Sequence, residues 1–297
     1  MINIHNHYFR DLDVPRDIFG WRVKPILTSK LVSFIARRIL SGLSRIFPQR
    51  NLERLYKVVD VSNKTSKEIY LNQARYYTKR TKFVGIAIDL AYCNAGPVER
   101  PYEEQLEELL DLKFNYGVIP FIHIDPRREG CYSLFSNYIR KGYKGLKLYP
   151  ALGYSPDHEN LTPIYEFCDK HGIPVLVHTG EESPTHYKAS KRAIKRMLDK
   201  EAIWYDDSMS KRQLCGQWGH PSRYKNIIEK YKNINFMFAH MGSNNMVHDY
   251  LDNPEVSFRN QWYWIKEFIK KYDNVYTDIS YVSYDKSLWS YIKLLAL

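Results

Sequence analysis

The sequence predicts an α/β fold in which parallel strands are joined by crossover helices, and three patterns predict it. Seven short runs rich in apolar and β-branched residues alternate with helix-length amphipathic segments. Most of the runs are apolar on both faces, as suits a sheet covered on both sides. Several end in polar residues and glycine, where a strand opens into a loop, so function is expected at those ends.

The runs, in order, are INIHNHYF (2–9), KFVGIAID (82–89), GVIPFIHID (117–125), GLKLYP (145–150), IPVLVHTG (173–180), INFMFAHMG (234–242) and NVYTDIS (274–280). Helices are expected over 103–114, 161–171 and 222–232, with Gly117 and Gly172 where helix ends favour glycine. The exception is the segment 10–81, which carries two helical patterns, 29–47 and 64–79, and reads as a helical insertion between the first and second strands. In the first pattern Leu31, Ile35, Ile39, Leu43 and Ile46 share one side while Arg37, Arg38 and Arg45 lie elsewhere. That is a helix packed on the body of the fold with a solvated basic face; contact with a membrane surface is the weaker alternative. No repeat, low-complexity tract or Pro/Gly/Ser-rich linker marks a second domain, so 1–297 is read as one TIM-like barrel domain.

Composition excludes several classes. The 297 residues carry 44 Lys+Arg against 33 Asp+Glu, a formal net charge of +11, with 44% hydrophobic and 26% charged residues. These are globular values, not those of a disordered chain, a collagen or a coiled-coil rod. No run approaches the roughly 18 apolar residues of a membrane span, so no transmembrane segment is expected. The start, MINIHNHYFRD, lacks a basic leader and apolar export segment, which makes a cytoplasmic location the default. Four cysteines, Cys93, Cys131, Cys168 and Cys215, are too widely spaced for a CxxC metal site and too few for a disulfide scaffold. The 25 Tyr and 6 Trp can line a polar cavity or sit half-buried on helices, and by themselves identify no ligand.

The chemistry gathers at strand ends. His5 and His7 are two apart on a predicted strand, so both imidazoles project from one face. His178 closes the fifth run in VLVHTG, and His240 the sixth in MFAHMG. Any one of these reads more readily as a half-buried residue bonded to backbone, but four at corresponding ends point to a shared ligand such as Zn2+. The third run ends in HIDPRR, offering His123, Asp125, Arg127 and Arg128; either arginine can clamp a carboxylate, although solvated loop arginines are commoner. Trp218, His220 and Arg223 in QWGHPSRY can shape a pocket, while Pro221 and Ser222 read equally as helix-start residues.

Taken together and in this order, IHNH, GLKLYPALGYSP, GIPVLVHTG and NINFMFAHMGSN resemble the amidohydrolase superfamily, in particular its amidohydrolase-related branch, which includes aminocarboxymuconate-semialdehyde decarboxylase-like enzymes. The resemblance implies a distorted (β/α)8 barrel with one or two divalent metal ions, zinc first among them, at the C-terminal mouth. It makes His5, His7 and His178 ligands. His240 corresponds to a sixth-strand histidine that either ligates a second metal or polarises the substrate. Lys147 matches a position that is carboxylated and bridges two metals in some members; otherwise it binds an anionic group or solvates the rim. Tyr149, in the same run, joins Arg127 and Arg128 as a substrate-binding candidate.

The family's eighth strand supplies an aspartate that shuttles the proton, and no such strand is found in the sequence. NVYTDIS, with Asp278, resembles the seventh strand. Three accounts compete: truncation of the chain, which is favoured; replacement of the aspartate by Asp278; or loss of catalysis. The function implied is metal-dependent hydrolysis of amide-like or ester-like bonds (C–N or C–O) in a small, anionic substrate through a metal-activated water, with His240 and Asp278 catalytic. The alternatives are decarboxylation by the same site, phosphoester hydrolysis of the TatD or histidinol-phosphatase-like kind, or an inactive barrel. No nucleic-acid partner is expected, and a homo-oligomer is compatible with the sequence.

Overall fold

The structure, a computed structural model, describes residues 2–8, 10–15, 17–18, 64–183, 185–253 and 258–295. The expected helix over 29–47 lies outside them. The chain falls into two compact units, Met1–Ala91 with Ala95–Ile119, and Tyr92–Asn94 with Pro120–Leu297.

In the first unit β1 (Ile2–His7) and β2 (Lys82–Ile86) pair in parallel, with Ile2 opposite Lys82 and His7 opposite Ile86. The register shifts between Asn3 and Asn6. Helix α1 (Ser66–Ala74) starts at Thr65, whose hydroxyl accepts from the Glu68 N–H while Glu68 accepts from the Thr65 N–H at 2.8 Å. It begins inside the expected 64–79 pattern and ends five residues sooner. Helix α2 (Tyr102–Tyr116) buries Leu106, Leu109 and Leu110 and ends at Gly117, whose φ of +70° explains the glycine there. Arg100 holds Asp13 in a fork, Nε at 2.7 Å and Nη2 at 3.0 Å, and reaches Glu108 with Nη1 at 2.7 Å.

The second unit carries β3 (Ile119–His123) from Pro120 onward, β4 (Gly145–Leu148), β5 (Val175–Val177), β6 (Phe236–Phe238) and β7 (Val275–Thr277), each parallel to the next. Leu146, Leu148, Val175, Val177, Phe236 and Phe238 are fully buried, as expected of runs apolar on both faces. Between the strands lie α3 (Cys131–Lys141), α4 (Thr162–His171), α5 (Lys191–Lys200), α6 (Lys211–Gly216) and α7 (Lys225–Lys230). They are followed by α8 (Asn244–Asp252), α9 (Gln261–Lys271) and, after β7, α10 (Trp289–Leu295). The helix expected over 222–232 opens as a 3-10 turn, Pro221–Tyr224, before becoming α7.

Every strand is shorter than its apolar run, because the backbone leaves the ladder before the polar end of the run. After β6 the chain turns at once through Ala239–Gly242, with His240 at φ +63° and Met241 at φ +50°. The fold class is therefore α/β with parallel strands and intervening helices, and the described residues hold seven strands and no eighth. Among them no helix is long and apolar enough to cross a membrane.

Candidate active site

On β1 the two-residue period holds. His5 and His7 are half-buried and their Nε2 atoms lie 3.1 Å apart, with ring centroids 5.0 Å apart. Asn6 between them points the other way, donating to the Val84 carbonyl at 3.0 Å.

In the second unit the ends of β4 to β7 gather Lys147, His178, His240 and Asp278. Lys147 is fully buried, lies opposite His123 in the β3–β4 register, and its Nζ has no hydrogen-bond partner among the described residues. Burial brings its pKa down to about 7, against the pull of the Asp278 carboxylate. His123 is pushed down to about 3, first by burial and then by the charge of Lys147.

The His178 ring lies against Tyr149 with centroids 3.9 Å apart, and its Nε2 sits 3.1 Å from the Ser183 hydroxyl. His240 meets His178 edge to face at 5.1 Å. The His240 N–H donates to Asp278 Oδ1 at 3.1 Å, and its Nδ1 lies 2.7 Å from the Ser280 hydroxyl. The same Oδ1 accepts from the Ser280 N–H at 2.9 Å and from the Ser280 hydroxyl, so the carboxylate is oriented by three donors. A non-glycine residue in the left-handed region is uncommon, and such positions concentrate where surroundings hold a side chain in one functional direction. Asp278, by accepting from the His240 backbone, provides that hold.

The remaining sequence candidates take other places. Arg127 forks onto Asp125, Nε at 2.8 Å and Nη2 at 2.6 Å, and donates to the carbonyls of Leu152 at 3.0 Å and Gly153 at 3.1 Å. Arg128 lies over the Tyr92 ring at 5.4 Å. Tyr149 is buried and its hydroxyl bonds Ser183, so it touches His178 by its ring and, through that serine, by its hydroxyl. Trp218 belongs to an apolar cluster with Ile194, Leu198 and Leu214. His220 accepts from the Ser222 N–H at 3.3 Å, the helix-start role, and Arg223 binds Asp157 at 3.2 Å.

Two site residues have no counterpart in the sequence reading. Ser280 stands two residues after Asp278, a spacing at which an aspartate caps its own turn, and this was the available signal. Ser183, in an irregular loop, carried none.

The amidohydrolase family model matches residues 113–295, more than half of the chain. Among solved structures the chain is similar to an uncharacterized TIM-barrel protein from Bordetella bronchiseptica, at 13% identity and a TM-score of 0.47, covering 96% of this chain and 77% of that one. It is also similar to 5-carboxyvanillate decarboxylase from Novosphingobium aromaticivorans, solved with bound manganese, at 14% identity and a TM-score of 0.49, covering 93% and 78%. A third is 4-oxalomesaconate hydratase from Rhodopseudomonas palustris, at 14% identity and a TM-score of 0.43, covering 94% and 74%. No curated protein matches the chain. The histidine-bearing strand ends and the extent of the family match lead to one conclusion: the chain belongs to the amidohydrolase family.

Proposed function

We propose that the protein is a metal-dependent hydrolase acting on amide-like or ester-like C–N or C–O bonds of a small anionic substrate. The observation that carries this reading is the pair on β1. Two Nε2 atoms 3.1 Å apart have the spacing of two ligands that each sit about 2.0–2.1 Å from one cation. His178 is proposed as a further ligand from its place in the family pattern, and its chemistry fits, since a serine hydroxyl on Nε2 can rotate away. Lys147 is proposed as another donor, because a buried amine without a hydrogen-bond partner among the described residues suits a group that is completed by what it binds. A divalent cation, zinc first among the candidates and as one or two ions, would supply Lewis acidity toward a water and a substrate carbonyl.

The chain's own residues then divide the work. Asp278, oriented by its three donors, takes the proton of the attacking water and returns it to the leaving group. His240, with Nδ1 on Ser280, places Nε2 for the carbonyl oxygen, where charge develops. Arg127 is bound on three sides and holds its loop, so Arg128 is the arginine proposed to meet the substrate's anionic group. Tyr149 acts through His178, fixing the ring it lies against.

Metal analysis joined to a panel of activated esters and anilides tests the reading. The wild type is expected to hold at least one equivalent of zinc or manganese. His5→Ala and His178→Ala should each lose it together with activity, and His240→Ala should keep the metal while losing activity at least 100-fold. Full metal content in His178→Ala, or a metal-free wild type from supplemented culture, overturns it.

A further inference from the structure

A second polar cluster lies on the second unit, where the loop after β5 meets α6. It includes His186, 7% exposed, whose Nδ1 has no hydrogen-bond partner of ordinary geometry among the described residues, while the Ser183 backbone favours the protonated ring. Lys188, Arg212 and Lys211 all stand close enough to repel its protonated form. None of the three cations has a carboxylate within ion-pair distance among the described residues. Glu181, in the same loop, is engaged by the Gln213 side-chain amide at 3.0 Å.

The frame that carries these cations is braced. The Gln213–Glu181 bond and a contact of Cys215 Sγ with the Tyr187 carbonyl at 3.7 Å stitch α6 to the loop at two points. Gly216 permits the approach, since a Cβ there would lie 2.8 Å from the Glu181 carbonyl oxygen. The Lys188 N–H donates to Cys93 at 2.8 Å, its carbonyl accepts from Asn94 at 2.6 Å, and the Tyr187 N–H donates to Ala151 at 2.9 Å. The same loop carries Ser183, bonded to His178, so the cluster and the candidate active site share one structural support.

Positive charges beside a buried imidazole disfavour its protonation, and a bound anion relieves that, even though Lys211 and Arg212 are themselves exposed. We propose that His186, Lys188, Lys211 and Arg212 form an oxyanion subsite that holds a second carboxylate or phosphate group of the substrate, beside the one assigned to Arg128, a deepening that rests on the hydrolase reading above. The arriving anion offsets the mutual repulsion of the three cations. His186 takes a proton from solvent as the anion binds, and Nδ1 then donates to it. Arg212 adds a forked donor matched to either oxyanion.

Calorimetric titration of the full chain with malonate and with inorganic phosphate tests this, on protein as purified and after chelation, so that ligation of a metal by the probe is removed. At least one probe should saturate at one site in the millimolar range, and the probe that binds identifies the oxyanion. The pair Lys188→Met with Arg212→Gln should weaken it at least tenfold, while Arg196→Gln with Lys200→Gln, equal in charge removed and exposed on α5, should change it less than twofold. In the wild type, saturation should raise the titration midpoint of the His186 imidazole by at least one pH unit, read by nitrogen-15 NMR. Absence of saturable binding, equal weakening by both pairs, or an unmoved His186 overturns the subsite. Normal metal content without probe binding sinks the subsite alone; probe binding after chelation by a chain that never holds metal sinks the hydrolase reading alone.

Discussion

Lys147 is where packing and chemistry oppose each other most directly. A fully buried amine whose Nζ lacks a hydrogen-bond partner among the described residues is costly in an apolar interior, and burial brings its pKa to about 7 in response. Lys147→Met keeps the length and removes the polar atom. It is expected to stabilise the metal-free protein by about 1–3 kcal/mol, the cost of leaving a buried polar atom without a hydrogen bond. The same variant should lose hydrolysis at least 100-fold. Urea midpoints on chelated protein check the first outcome and the ester panel the second; a lower midpoint than wild type would show that the amine is satisfied after all. His240 shows a milder form of the conflict, because its left-handed backbone costs on the order of 1 kcal/mol and is held by the carboxylate of Asp278.

Among the elements, α6 shows how a close approach is built and what it costs to disturb. At Gly216 an added methyl would lie 2.8 Å from the Glu181 oxygen and 3.0 Å from that of Gly180, both backbone atoms that cannot rotate aside. Gly216→Ala is therefore expected to destabilise by about 1–3 kcal/mol, the range for overpacking, and to weaken oxyanion binding as the loop shifts. Gly145, at the start of β4, makes a contrast. The atoms nearest its added methyl are those of the half-buried Phe121 ring, at 2.3–2.5 Å, the far end of a side chain that can turn. Gly145→Ala should thus lower the urea midpoint by less than Gly216→Ala; the reverse order would show that β4, not α6, is the tighter seam.

Across the whole molecule, buried histidines set the response to acid. His123 is held down to about 3, and His186 and His220 to about 4, each chiefly by burial. Their folded pKa values lie below the ordinary 6.5, so as pH falls the unfolded chain takes up protons that the native chain does not. Stability is thus fully present above pH 6.5 and is lost as pH falls toward 4, at up to about 1.4 kcal/mol per pH unit for each histidine. Urea midpoints between pH 7 and 5 should decline accordingly. His220→Asn, which retains a side-chain acceptor for the helix start, should flatten the decline by one group's share, and an unchanged slope would remove His220 from the account.

What the sequence determined by itself is what local periodicity and backbone chemistry encode. The order of the seven strands, the helices α2 and α4 with glycine at their ends, and the shared face of His5 and His7 were legible, because each depends on neighbours a few residues away, whereas α3, α5, α6, α8 and α9 were not read from the sequence. So was the family, carried by motifs within single strand ends. Tertiary structure decided which side chains serve which others. Ser280 reaches His240 across 40 residues of sequence, Tyr149 meets Ser183 across 34, and the carbonyls that accept from Arg127 lie 25 and 26 residues on. Those partnerships arise where loops from adjacent parallel strands meet. Strand order sets that adjacency, and no repeat within one segment records it.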